Sequence, residues 1–367
     1  MEYAVIMAGG RGTRLWPFSR NDRPKQLLPI VHGKSLLQLS YQRLRALLPP
    51  ERIFVCTGAS HRETVLQNLP ELPPDNVLGE PEGRDTANAV GFPAAVLLKR
   101  DPDAVMAVVT ADHVIEPVDQ FIRSIKTAFE VVAEQPKALV TFGLIPTHGH
   151  TGLGYIHRGE ALSLRSGSKG AFKVMKFIEK PNKPDADRYV ESGRYYWNSG
   201  MFVWRCDTVL NELAIHLPDA YAGLVKIGQA WDTPEAQNVL LSNYPGLTRK
   251  SIDYAVMEPA STGKGKAHVV VVEMPVQWLD VGSWPALAET LPNDDHDNTV
   301  SGGVVVLVDS FNNIVVSQDP EHLVALLGVS DMIVIHTADA TLVCPKTEDQ
   351  RVKELVDKVK AKTGRYQ

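Results

Sequence analysis

Short runs of consecutive apolar residues alternate along this chain with stretches in which apolar side chains return every third or fourth position. Tyr3–Met7, Ile53–Thr57, Val105–Thr110 and Leu139–Gly143 are rich in β-branched and apolar residues, the pattern of strands buried on both faces. Between them, Leu36, Leu37, Leu44, Leu47 and Leu48 follow Ser35 as a helix cap, and Ala87 to Leu98 reads as a second helix. Phe121, Ile122, Ile125, Phe129 and Val132 mark a third. Repetition of strand and helix predicts the α/β class with a doubly wound, mostly parallel sheet. Such sheets bind ligands beyond the carboxyl ends of their strands, which here lead into a glycine-rich loop and to Asp112.

The pattern changes after about residue 290, where LPNDDHDN reads as a linker between a domain of residues 1–290 and one of residues 298–367. Val304–Val308, Ile314–Ser317, Leu323–Leu327, Met332–His336 and Thr341–Cys344 recur at the spacing of an all-β module. A charged terminal helix then places Val352, Leu355, Val356 and Val359 on one face, which predicts docking on that module.

The first strand runs into VIMAGGRGTRLWPFSRNDRPKQLL, residues 5–28. Gly9, Gly10 and Gly12 can take backbone angles that turn successive N–H groups toward an anion, with Arg14 and Lys25 supplying charge nearby. It is not a P-loop: the second glycine slot after Gly9 holds Arg14, and Gly33-Lys34-Ser35 has Leu28 where its first glycine belongs. Nor is it a dinucleotide fingerprint, because the third glycine place counted from Gly10 and Gly12 is Leu15.

Composition narrows the classes further. The 367 residues carry 38 Lys and Arg against 43 Asp and Glu, a formal charge of −5, so there is no general basic surface for nucleic acid or anionic membrane. No run is long enough to span a bilayer, and MEYAVIMAGG lacks the basic region and cleavage site of a signal peptide, which predicts a cytoplasmic protein. Cys56, Cys206 and Cys344 lie far apart in apolar, strand-like runs and read as buried free thiols.

Gly9-Gly10-x-Gly12-Thr13-Arg14-Leu15 with Pro24-Lys25 resembles the signature loop of the sugar-1-phosphate nucleotidyltransferases, and the fuller GGRGTRLWPFSR with RPKQ is similar to their mannose-1-phosphate guanylyltransferase branch. EPEGRDTANA from Glu80, TADHVI from Thr110, TGLGYI from Thr151, FIEKP from Phe177, WNSGMFVW from Trp197, SIDYAVME from Ser251 and WLDVGSW from Trp278 continue the match in family order. The resemblance implies a Rossmann-like nucleotidyltransferase core, a β-rich, left-handed β-helix-like C-terminal domain with a terminal helix, and a homodimer. It implies an enzyme that joins GTP and mannose 1-phosphate with Mg²⁺, giving GDP-mannose and pyrophosphate. Longer relatives carry a fused isomerase domain, and isomerase activity is not expected of this chain.

Residue by residue, the resemblance gives the nucleotide to Gly9, Gly10, Gly12, Thr13, Arg14, Lys25, Arg84, Thr86 and Asp112. It gives the sugar phosphate to Gly154, Glu179, Lys180, Asn198 and Gly200, and Mg²⁺ to Asp112 and Asp280. Arg14, Lys25, Asp112 and Asp280 would carry the chemistry. Asp85 and Asn88 stand where relatives often have Asn and Pro, and His150 where they are often acidic. The attacking sugar phosphate is largely ionised near neutrality, its second pKa being about 6, so no general base is needed. The obstacle is repulsion between anions, which positioning and charge neutralisation must overcome. Arg14 and the loop amides would then hold the pyrophosphate, and Lys25 would reach the α-phosphate. Asp253 reads as a capping or supporting residue, His113 as a structural hydrogen-bonder, and His148 and His150 as loop residues. Transfer of another nucleotide or to another hexose, and a non-catalytic sugar-nucleotide-binding homologue, are the alternative readings.

Overall fold

The computed structural model of the protein describes every residue except Arg11, His32 and Gln367. Eleven strands precede the tail: β1 (Glu2–Met7), β2 (Ile53–Gly58), β3 (Val77–Glu80), β4 (Val105–Thr110), β5 (His113–Glu116), β6 (Ala138–Leu144), β7 (Tyr155–Ala161), β8 (Ala171–Ile178), β9 (Tyr195–Arg205), β10 (His268–Glu273) and β11 (Gln277–Asp280). Nine of them form one sheet in the order β3-β2-β1-β4-β9-β6-β10-β8-β7. The four apolar runs are β1, β2, β4 and β6, and the three predicted helices are Leu36–Arg45, Asp85–Arg100 and Val118–Glu134. At the first of these, Ser35 Oγ accepts from Gln38 N–H at 3.0 Å while Gln38 Oε1 accepts from Ser35 N–H at 2.9 Å, a reciprocal cap.

The Rossmann-like core is present, but the parallel run is narrower than the apolar pattern predicts. It is confined to β3-β2-β1-β4 and the pair β6–β10, because β9 enters antiparallel between β4 and β6. An unbroken apolar run reports burial on both faces. It carries no information about strand direction, which depends on where the chain re-enters the sheet.

Packing divides the chain into two compact units, one of Met1–Gly9, Ser40–Ala111 and Ile115–Trp278, the other of Gly10–Leu39, Asp112–Val114 and Leu279 onward. The first holds the nine-stranded sheet, whose core includes Phe54, Phe92, Trp204 and Tyr244. In the second, Leu15, Trp16, Phe18 and Trp284 share one core with Ile314, Ile333, Ile335, Leu342, Val352 and Val356. The signature segment is therefore packed against tail residues. The LPNDDHDN stretch is also firmly tied: Asn298 is buried and its Nδ2 donates to Ser310 O at 3.0 Å and Asp294 Oδ2 at 3.1 Å.

The tail is a β-helix of short coils, with β12 (Thr299–Ser301), β14 (Ile314–Ser317), β16 (Met332–His336) and β17 (Thr341–Pro345) in one sheet and β13 (Val304–Val308) and β15 (Leu323–Leu327) in another. Thr299, Ile314 and Ile333 stack at one register position on successive parallel strands. In the terminal helix Val352–Thr363, Val352 and Val356 are buried, whereas Leu355 is 40% exposed. The three cysteines are free, as their spacing predicts, with Cys56 and Cys206 buried but Cys344, near the end of the antiparallel strand β17, only partly so. No helix among the described residues is long and apolar enough to cross a membrane.

Candidate active site

Two glycines of the signature loop are left-handed, Gly10 at φ 96° and Gly12 at φ 61°. A Cβ on Gly12 would stand 2.7 Å from Cβ and Cγ of Lys25, so the loop and that side chain occupy adjoining space only because Gly12 has none. Gly12 O accepts from Leu15 N–H at 2.9 Å and from Ser19 Oγ at 2.6 Å, closing the short turn Thr13–Leu15. Arg14 stands exposed on that turn and forms no ion pair among the described residues. Its charge is available to an incoming anion. Gln26, buried beside Lys25, reaches Gly10 O with Nε2 at 3.4 Å.

Lys25 is itself buried. Its Nζ donates to Val281 O at 2.9 Å, lies 2.9 Å from Asp112 Oδ2 and is 3.8 Å from Asp280 Oδ1. The two aspartates, far apart in sequence, are brought together because Val281 N–H donates to Asp112 O at 3.0 Å, fastening the end of β11 to the residue that precedes β5. Burial disfavours ionisation of Asp112, but His113 and Lys25 outweigh it and hold its carboxyl below the usual range. Asp112, His113 and Asp280 each offer a ligand atom, all within 4.8 Å of one another. Hard carboxylate oxygens suit a divalent cation, so Asp112 and Asp280 are the residues that would hold one there. The carboxylates already concentrate negative charge around one cation, the Lys25 ammonium.

The other unit gathers the predicted sugar residues. Asn198 N–H donates to Gly154 O at 2.8 Å, and a Cβ on Gly154 would lie 2.7 Å from Glu179 Oε2. Lys180 pairs with Glu179 at 2.6 Å, and Gly200, at φ 69°, donates its N–H to Asn198 Oδ1 at 3.3 Å. Thr141 Oγ1 meets Asn198 Oδ1 at 3.0 Å, and Asp253 Oδ1 meets Asn198 Nδ2 at 3.0 Å.

Nearer β1 and β3, Glu80 is buried, accepts from Tyr244 Oη through Oε1, and directs Oε2 toward Gly9, where an added Cβ would come within 3.9 Å. Burial raises the Glu80 pKa, and the Tyr244 hydrogen bond works against that rise. The residues after it are more occupied than the sequence suggests. Arg84 pairs with Glu82, and Thr86 Oγ1 accepts from Ile252 N–H at 2.9 Å, tying a helix start to the segment that carries Asp253. Asn88 is buried and donates to Arg84 O at 2.7 Å and Thr248 O at 2.8 Å.

The nucleotidyl transferase family model matches residues 3–296, and a model described as the MannoseP isomerase/GMP-like beta-helix domain matches residues 303–359. The chain belongs to the nucleotidyl transferase family. It is 38% identical to the mannose-1-phosphate guanylyltransferase RfbM of Salmonella typhimurium, over 97% of this chain and 72% of that protein. It is equally similar to the mannose-1-phosphate guanylyltransferase of Escherichia coli K12, at 38% identity over 100% of this chain and 74% of that one. Among solved structures, a crystal structure from Thermus thermophilus, described as a mannose-1-phosphate geranyltransferase, superposes with a TM-score of 0.84 at 35% identity, covering 98% of this chain and 99% of that one.

As a family member the chain is an enzyme of the nucleotidyltransferase type, with the two-part architecture of sheet core and β-helix tail. The structure brings Gly12, Lys25, Asp112 and Asp280 together in one unit, and Gly154, Glu179, Lys180, Asn198 and Gly200 together in the other. Sequence reasoning passed over Tyr244, Gln26 and Thr141. For Thr141 a signal existed, a polar residue inside the apolar run of β6, where an unpartnered hydroxyl would be costly.

Proposed function

We infer that this chain transfers GMP from GTP to α-D-mannose 1-phosphate, forming GDP-mannose and releasing pyrophosphate. The observation that carries the reading is the cluster of Asp112, Lys25 and Asp280 beside the left-handed Gly12 turn. A phosphate oxygen of the sugar phosphate attacks the α-phosphorus in line, and the bond to the β-phosphate oxygen breaks. Both reactants are polyanions, so the protein must supply cations and N–H groups where charge builds up. Arg14 is exposed and forms no ion pair among the described residues, which leaves it for the pyrophosphate, with the amides of Gly9, Gly10, Gly12 and Thr13 close in the chain. Lys25, held by Val281 O and Asp112 with Asp280 3.8 Å away, keeps the aspartates at close range and offers charge to the α-phosphate. Asp112 and Asp280 would hold Mg²⁺, which when bound neutralises charge on the phosphates.

Guanine is favoured by the chemistry of Glu80. The base presents adjacent N1–H and N2–H donors, and a buried carboxylate with one oxygen already held by Tyr244 supplies a fixed acceptor. On the sugar side Glu179 accepts from hydroxyls, and Lys180, raised in pKa by its hydrogen bond to Glu179, stays charged for the sugar phosphate. A GTP-consuming reaction fits a cytoplasmic enzyme. We also infer a homodimer, formed through the outward face of β13 and β15. There Val304, Val306, Val308, Leu323 and Leu327 are 49–74% exposed and Ala325 lies among them, a face without charge that best matches a second copy of itself.

The test is a matrix of four nucleoside triphosphates against several hexose 1-phosphates with Mg²⁺, read by product mass. GTP with mannose 1-phosphate should dominate. Asp112→Asn and Asp280→Asn should each lower turnover by about 10³-fold while circular dichroism stays native. Wild-type rates in either variant would refute the assignment.

A further inference from the structure

The pairing of β6 with β9 slips out of regular register between Thr141 and Gly143, and Asn198 sits beside that irregularity. Three neighbours meet its amide. Gly200 N–H, which can only donate, lies 3.3 Å from Oδ1, and Thr141 Oγ1, whose hydroxyl also has Met201 O at 3.2 Å, lies 3.0 Å from the same oxygen. Asp253 Oδ1 takes an Nδ2 hydrogen at 3.0 Å, and an ionised carboxylate can only accept. Gly200 N–H thus faces Oδ1 and the Asp253 carboxylate faces Nδ2, and one Nδ2 hydrogen remains. The free amide could have offered a ligand either a donor or an acceptor; held this way it offers a donor.

Asp253 begins a π-helical turn, Asp253–Met257, an irregularity that recurs at functional positions. The charged groups around it are Glu179 and Lys180, which pair with each other, and Lys180 also feels the neighbouring Tyr254 hydroxyl. We propose that Asp253 is a positioning residue that pins the Asn198 amide as a hydrogen-bond donor, so that the hexose oxygen recognised there is one that accepts from Asn198. The proposal rests on the reading of this cluster as the hexose site and deepens it.

The pin responds to pH. Burial, and then the Glu179 carboxylate, push Asp253 up to about 6, while its hydrogen bond from Asn198 and the Lys180 charge pull it down. Above that pH the carboxylate accepts and the amide is held. Below it the protonated group carries its own hydrogen, and the Asn198 orientation is no longer dictated from this side.

Two measurements test this. In the ligand-free protein labelled with ¹⁵N-asparagine, the Asn198 side-chain amide, assigned by its loss in Asn198→Asp, should titrate with a midpoint near pH 6, and the titration should vanish in Asp253→Asn. In steady-state assays at pH 8, Asp253→Ala should raise KM for mannose 1-phosphate about tenfold with KM for GTP within about twofold. Asp253→Asn, whose amide oxygen can still accept from Asn198, should restore KM to within about threefold of wild type. An Asn198 resonance indifferent to pH between 5 and 8, or KM values for both substrates rising together in Asp253→Ala, would overturn the proposal. The amide titration needs no turnover, so a protein that makes no GDP-mannose would refute the functional reading while the pin stands or falls on the resonance.

Discussion

Gly12 shows how much one absent side chain can decide. Its left-handed conformation costs a non-glycine residue roughly 1 kcal/mol, and a Cβ there would press on the first carbons of Lys25, close to its backbone, at 2.7 Å. Those carbons cannot swing away without moving the ammonium from Asp112. Gly12→Ala should therefore lose at least about 10²-fold in turnover and destabilise the protein by about 2 kcal/mol, read by denaturant midpoint and steady-state rate. In the sequence Gly12, Arg14 and Lys25 read as an anion site because glycines followed by cations after a strand have few other uses. That Lys25 would be buried between two aspartates was not legible. A lysine in sequence reads as solvated, and only its distances to groups far along the chain make it otherwise.

At the scale of elements, periodicity located β1, β2, β4 and β6 and three helices of the core, since burial on both faces leaves an apolar run and amphipathic helices a spacing of three and four. It did not name the other seven strands before the tail, among them β9, where Asn198, Ser199 and Gly200 interrupt the apolar sequence. In the tail the decisive residue is one that hydrophobic patterning ignores. Asn313 is fully buried: its Nδ2 donates to Asn298 Oδ1 at 3.0 Å and Val329 O at 2.9 Å, and its Oδ1 accepts from Met332 N–H at 3.0 Å. Asn313→Ala would take the side-chain acceptor from Met332 N–H, at about 1–3 kcal/mol, and one donor each from Asn298 Oδ1 and Val329 O, which keep the N–H groups of Asn313 and Phe311. We expect a loss of roughly 3 kcal/mol, visible as faster amide exchange over residues 299–345.

For the whole molecule, the outward valines and leucines of β13 and β15 explain why the tail pattern read as strand but not as surface. Both faces of these strands are apolar, so alternation alone cannot say which one meets solvent. Homodimerisation through that face predicts a solution mass of twice 40.4 kDa by light scattering. Val306→Glu, placed where the side chain is half exposed, should return the protein to a single-chain mass without unfolding it. A wild type that runs as one chain at micromolar concentration would refute the dimer.

Short-range sterics and hydrophobic spacing, both properties of neighbouring residues, set the local pieces: which stretches become strand or helix, where the backbone turns left-handed, which side chains can carry charge or accept a hydroxyl. All of this is written in the order of amino acids. The partners are not. Asp112 and Asp280 face one ammonium because β11 pairs with β5 and Val281 N–H bonds to Asp112 O, and Asn198 is a donor because Gly200 and Asp253 converge on it. Electrostatic and hydrogen-bonding roles depend on distances between residues remote in the chain, and those distances exist only after folding.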